Sequence, residues 1–115
     1  MRSWEHAPLQ KKERRAIEVA TEALRKRYST EKVVLFGSKS RGDSDEVSDI
    51  DLLLITTNPL HWREEKAIVE MLFDLGMEYD VIFSPLFAAL EEWDRGIFKE
   101  FPVYKNIVEE GAIVL

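Results

Sequence analysis

The sequence predicts an α/β (α+β) fold: a small mixed β-sheet of three to four strands flanked by helices, in one domain spanning residues 1–115. Three observations predict it. Short β-branched apolar runs at 32–36 and 50–56 have the length and composition of buried strands. Apolar residues recur at helical spacing across 9–28 and again across 63–75. A chain of 115 residues can close one core and is too short for two ordinary domains.

The elements follow in order. Ile17, Ala20, Leu24 and Tyr28 place one apolar stripe on a first helix, with charges elsewhere around it. Lys32 to Phe36 is a strand stopped by Gly37, and Ser38 to Ser48 is a polar, glycine-bearing loop with room for one helical turn. Ile50 to Thr56 is a second strand, apolar on both faces beyond its opening acids, which indicates a sheet covered on both sides. Asn58-Pro59 ends it. Ile68, Met71, Leu72 and Leu75 then mark an amphipathic helix capped by Gly76, and Tyr79 to Phe83 reads as a third strand ended by Ser84-Pro85. Two shorter helices around 86–93 and 103–110 follow, and Ile113 to Leu115 offers an edge strand. Trp4, Trp62 and Trp93, with Phe98, Phe101 and Tyr104, are expected in the core or at its rim, and His6 and His61 on the surface.

Composition excludes several classes of function. There is no cysteine, hence no disulfide, zinc-thiolate site or thiol nucleophile. No apolar run approaches the length of a membrane span, and the first residues lack the apolar stretch of a secretory signal, so a soluble cytoplasmic protein with no membrane partner is expected. Residues 1–32 carry a net charge of +4 and residues 33–115 a net of −10, giving −6 overall. That acidity argues against nucleic acid as a direct partner, because a polynucleotide surface needs many phosphate contacts.

The chemistry concentrates between residues 37 and 51. Gly37-Ser38 closes the first strand, and Asp49-Ile50-Asp51 opens the second. On a strand, side chains at i and i+2 share a face, so Asp49 and Asp51 project together. Two adjacent carboxylates are costly unless a cation joins them, and hard divalent cations with oxygen ligands suit the pair. Gly37 permits a tight turn and close approach to a ligand, Ser38 offers a hydroxyl and an N–H to a phosphate, and the forked guanidinium of Arg41 is the better triphosphate contact beside Lys39, expected as a solvated loop charge. Ser48 shapes the turn into the second strand, while Asp43, Asp45 and Glu46 keep the loop soluble. If the first two strands are antiparallel and a helical crossover makes the second and third parallel, the start of the third strand lies beside the two acids. Asp80 falls there and becomes the expected third carboxylate, with Glu78 on its face as the alternative.

The stretch from Gly37-Ser38-Lys39-Ser40-Arg41-Gly42-Asp43 through Ser48-Asp49-Ile50-Asp51-Leu52-Leu53 resembles the signature of the DNA polymerase beta-like nucleotidyltransferases, above all their minimal nucleotidyltransferase (MNT) members. The resemblance extends to Tyr79-Asp80-Val81-Ile82 and, more softly, to Tyr104-Lys105-Asn106-Ile107 and Glu110-Gly111. It implies that Gly37 and Ser38 hold the triphosphate, that Asp49 and Asp51 bind two magnesium ions, and that Asp80 shares the ion nearer the acceptor. It further implies an antitoxin role, with a small helical HEPN-domain ribonuclease toxin as partner and acceptor of AMP on a tyrosine.

The expectation is therefore a magnesium-dependent nucleotidyltransferase that takes ATP and delivers its nucleoside monophosphate to a hydroxyl on a partner protein. A non-catalytic antitoxin that neutralises a HEPN ribonuclease by binding alone is a second possibility. A third is transfer to a small molecule or an RNA end.

Overall fold

The computed structural model describes residues 1–42 and 49–115. The loop expectations for Asp43, Asp45, Glu46 and Ser48 lie outside the described residues. Among those described, β1 (Arg2–Ser3), α1 (Lys11–Arg27), β2 (Thr30–Phe36), α2 (Ser38–Arg41), β3 (Ile50–Thr56), α3 (Trp62–Tyr79), β4 (Phe83–Ala89), α4 (Leu90–Arg95), α5 (Pro102–Glu110) and β5 (Ala112–Ile113) follow one another. The strands form one five-stranded mixed sheet in the order β1-β5-β2-β3-β4.

The expected pairings at its centre are present. β2 and β3 run antiparallel with Phe36 opposite Asp51, and β3 and β4 run parallel with Asp51 opposite Ser84. Helices cover both faces. Val33, Leu35, Ile50, Leu52 and Leu54 pack under Ile17, Ala20 and Leu24 of α1 and Ile68 and Leu72 of α3. Val34, Leu53 and Ile55 pack under Trp93 of α4 and Ile107 of α5, with Phe98 and Tyr104 against them. β3 is thus the most deeply enclosed strand, so its first residues are held rigidly at one end of the sheet.

Five expectations are corrected. The third strand begins at Phe83, not Tyr79, because α3 runs past Gly76 to Tyr79 and Asp80 caps it in the left-handed region (φ 57°, ψ 52°). Gly76 lies within the helix, where a Cβ would press on the Val81 carbonyl as the chain turns back. Ser84-Pro85 does not end a strand: β4 lies at the sheet edge, where a proline leaves no ladder bond unmade. β5 is not an edge either, since it sits between β1 and β2. Trp62 is exposed rather than at the core rim, and beside it the His61 Nδ1 accepts the Arg63 N–H (3.2 Å) as an N-cap of α3.

Candidate functional site

The site forms where β2 ends and β3 begins. Gly37 leaves β2 with φ 72° and ψ −158°, a backbone that L side chains avoid. That turn brings the chain against Asp51 so closely that a Cβ on Gly37 would collide with the Asp51 carboxylate. Ser38 opens the single helical turn α2, closed by the Arg41 N–H on the Gly37 carbonyl (3.1 Å) and the Gly42 N–H on the Ser38 carbonyl (2.9 Å).

Asp51 is half-buried and Asp49 exposed. Burial pushes the Asp51 carboxyl above its ordinary value, the Asp49 charge pushes it further the same way, and the Arg41 guanidinium pulls it back. Arg41 therefore belongs to the same electrostatic group. Its Nη1 also pairs with Glu110 Oε2 at 3.0 Å, and the Ser40 hydroxyl donates to the Glu110 carbonyl, so α2 is tied to the end of α5. The Arg2 guanidinium donates to the Ser40 carbonyl from the other side.

Lys39 is not the solvated loop charge expected of it. Its ammonium is 2.5 Å from Glu13 Oε2, and both side chains are buried. Glu13 also accepts the Gln10 N–H (2.8 Å), so one carboxylate caps α1 and fixes α2 beneath the Gly37 turn. A sequence signal existed: Glu13 stands three residues after Gln10, the capping-box spacing.

Asp80 is placed elsewhere. Its side chain is 95% exposed and bridges Lys12 Nζ at 3.0 Å. Among the described residues, no three acidic or histidine side chains gather closely enough to hold a metal. Gly37, Ser38, Arg41, Asp49 and Asp51 come together; Asp80 does not join them. The position beside Asp51 on β4 is taken by Ser84.

The donor set nevertheless fits magnesium. Mg²⁺ is commonly held by one or two carboxylates, with substrate phosphates and water completing its shell. Asp49 and Asp51 supply two such carboxylates on one face, and the upward pressure on Asp51 is what a cation would relieve.

Residues 17–114 match the family described as nucleotidyltransferase domain, and the chain belongs to that family. Its class is thus that of a nucleotidyltransferase. Two relatives from Methanocaldococcus jannaschii carry the name "putative protein adenylyltransferase". One is 29% identical over 104 residues, covering 89% of this chain and 97% of the relative. The other is 36% identical over 56 residues, 49% of this chain, and the match spans 57% of that relative's length. The fold is shared with a toxin–antitoxin complex crystallised with AMP-PNP (TM-score 0.61, 15% identity, 87% of this chain and 72% of that one). It is also shared with a complex of a tri-AMPylated Shewanella oneidensis HEPN toxin and its MNT antitoxin (0.54, 13%, 90% and 71%). A nucleotidyltransferase structure from Sulfolobus solfataricus is similar as well (0.52, 18%, 90% and 76%). Among the described residues, no helix is long and apolar enough to cross a membrane.

Proposed function

We propose that this chain is a magnesium-dependent protein adenylyltransferase that moves AMP from ATP to a tyrosine hydroxyl of a HEPN-family toxin, and so acts as its antitoxin. The observation that carries the reading is the seating of the Gly37 turn on the Asp51 carboxylate, with Asp49 near enough for its charge to act on Asp51. A triphosphate against that turn lies within reach of both acids. The relatives' name and the HEPN complexes among the fold neighbours favour AMP and a protein acceptor.

In this reading Gly37 and Ser38 bind the β- and γ-phosphates through backbone N–H groups and the Ser38 hydroxyl, and Arg41 offsets their charge. Asp49 and Asp51 hold two magnesium ions, which would supply charge neutralisation at the phosphates and activation of the acceptor oxygen. The acceptor oxygen bonds to the α-phosphorus as the bond to the pyrophosphate oxygen breaks; the hydroxyl proton departs and pyrophosphate leaves. Asp80 contributes only after its bridge to Lys12 opens. The cytoplasm is the compartment that offers both ATP and such a partner.

The experiment is to incubate the chain with α-labelled ATP, magnesium and a HEPN-family toxin, then repeat with Asp49→Asn/Asp51→Asn. Label on the toxin with the wild type and none with the variant is expected; equal label from both refutes the reading. The bridge from Asp80 to Lys12, away from the acid pair, favours a second reading, in which the chain neutralises its partner by binding alone. Toxin neutralised equally by the acid-pair variant, with no mass added to it, would establish that alternative.

A further inference from the structure

On the α3 side of the sheet lies an apolar surface that the nucleotide chemistry leaves unused. On α3, Val69, Phe73 and Met77 succeed one another at intervals of four and face outward; Phe73 is 67% and Met77 70% exposed. Across from them, Ile82, itself 58% exposed, leads into Phe83 and Pro85 of the edge strand. Between the two runs a groove of about 440 Å³. Exposed aromatics and methionines in one contiguous patch are costly in water and mark an interaction surface.

Two features define what fits there. The first is charge. Past Lys66, every charged residue of α3 is acidic, and Glu70, Asp74 and Glu78 form an exposed row beside the apolar stripe. Packing two copies antiparallel through the stripe would set one acid row against the other, whereas a basic segment is attracted. The second is position. The Ile82 carbonyl accepts the Ile50 N–H at 2.7 Å, and Phe83 is the register partner of Ile50, the residue between Asp49 and Asp51. The groove therefore ends at the same end of β3 as the acids, on the face of Ile50, whereas Asp51 shares the opposite face with Leu53. Its helical wall, with a knob every four residues, suits a second helix packed lengthwise.

We infer that the α3–β4 groove docks a helix of the protein that receives the nucleotide: an apolar stripe on its inner face, flanked by lysine and arginine. This rests on the proposed transfer to a protein.

The test uses the full chain and a HEPN-family toxin, with complex formation followed by calorimetry and light scattering in the absence of ATP. Phe73→Asp and Met77→Asp are each expected to weaken the complex at least ~30-fold, the size of loss typical at interface anchors. Asp74→Lys/Glu78→Lys should weaken it at least ~10-fold and reduce its salt dependence. Both sites are exposed, so the circular dichroism spectrum and the shift of Tm by MgATP should stay as in the wild type. Asp49→Asn/Asp51→Asn should bind the toxin as the wild type does while transferring nothing. Three results overturn the inference: groove variants that bind within threefold of wild type, a wild-type chain that does not bind the toxin, or a wild-type dimer that Phe73→Asp converts to monomer. Absence of transfer together with groove-dependent binding sinks the proposed activity alone and leaves the docking surface standing.

Discussion

Gly37→Ala tests the geometry on which the site is built. Alanine at φ 72° and ψ −158° costs about 1–3 kcal/mol in backbone strain alone. Its Cβ would also collide with the Asp51 carboxylate, and relieving an overpacked contact of that kind costs about 1–3 kcal/mol more. At about 2.1 cal/mol/K per residue, a chain of 115 residues has an unfolding entropy near 0.24 kcal/mol/K, so each kcal/mol lowers Tm by about 4 °C. A fall of about 8–24 °C is expected for a combined cost of about 2–6 kcal/mol. Repeating the change in an Asp51→Ala background separates the two contributions. The Asp51 Cβ lies 3.5 Å from the new methyl, an ordinary contact, so only the backbone strain remains. Chemical denaturation of the wild type, both single variants and the double variant, in metal-free buffer, gives the coupling; about 1–3 kcal/mol is expected. Equal cost of Gly37→Ala in both backgrounds would show that the turn does not rest on the carboxylate, and the site's construction would have to be abandoned.

Three further outcomes follow from the same geometry. The folded-state pKa of Asp51 is raised above its ordinary 3.8, so through the window just above that value the folded chain holds more protons than the unfolded one and stability falls as pH rises. Asp51→Asn should therefore raise Tm at pH 7 without metal and flatten that acid-side slope; an unchanged slope contradicts the burial and charge argument. MgATP at about 100 times its Kd should stabilise the wild type by about 2.7 kcal/mol, or about 11 °C, in a thermal-shift assay, and Asp49→Asn/Asp51→Asn should show no such shift. Lys39→Met strands the buried Glu13 carboxylate and should cost about 3–5 kcal/mol, while Lys39→Met/Glu13→Leu recovers most of it; a double variant no more stable than the single one would show that the pair is not what holds α2.

What the sequence disclosed, and what it withheld, follows from how local each signal is. β3 was legible to the residue, and the glycine–serine turn and the i, i+2 acids were legible with it, because strand alternation and a glycine stop are written in consecutive residues. The antiparallel and parallel pairings followed from connection length. The register of β4 did not. Tyr79-Asp80-Val81-Ile82 has strand composition, but α3 continued for another turn, because burying Ile68, Leu72 and Gly76 against the sheet outweighs local preference. Asp80 was carried with that error: a four-residue delay in the strand moved it from the acids to Lys12. Lys39–Glu13 was hidden for another reason. A charge pair separated by 26 positions is buried only by the packing of α1 on α2, which no local pattern records.

The two halves of the site are built to different standards of rigidity, and the difference bears on function. The Gly37–Arg41 turn is clamped from three sides, by Arg2 and Glu110 on Ser40 and by Glu13 on Lys39, beneath a strand buried on both faces. Such a turn can hold a triphosphate with little loss of conformational freedom on binding. The acceptor side offers instead an exposed ion pair at Asp80, a cap in the left-handed region and an open apolar groove. An enzyme of a diffusible small molecule would be expected to enclose its acceptor, since excluding water strengthens every charge interaction at the reacting atoms. Among the described residues, no such wall covers the side where the apolar residues are exposed. A docked protein supplies such a wall, and its arrival is the natural event to displace Lys12 from Asp80. Coupling of this kind is measurable: if Asp80 acts only in the complex, Asp80→Asn should leave the MgATP-induced shift in Tm of the isolated chain unchanged and reduce transfer to the partner. Loss of the shift in the isolated chain would place Asp80 at the nucleotide from the start.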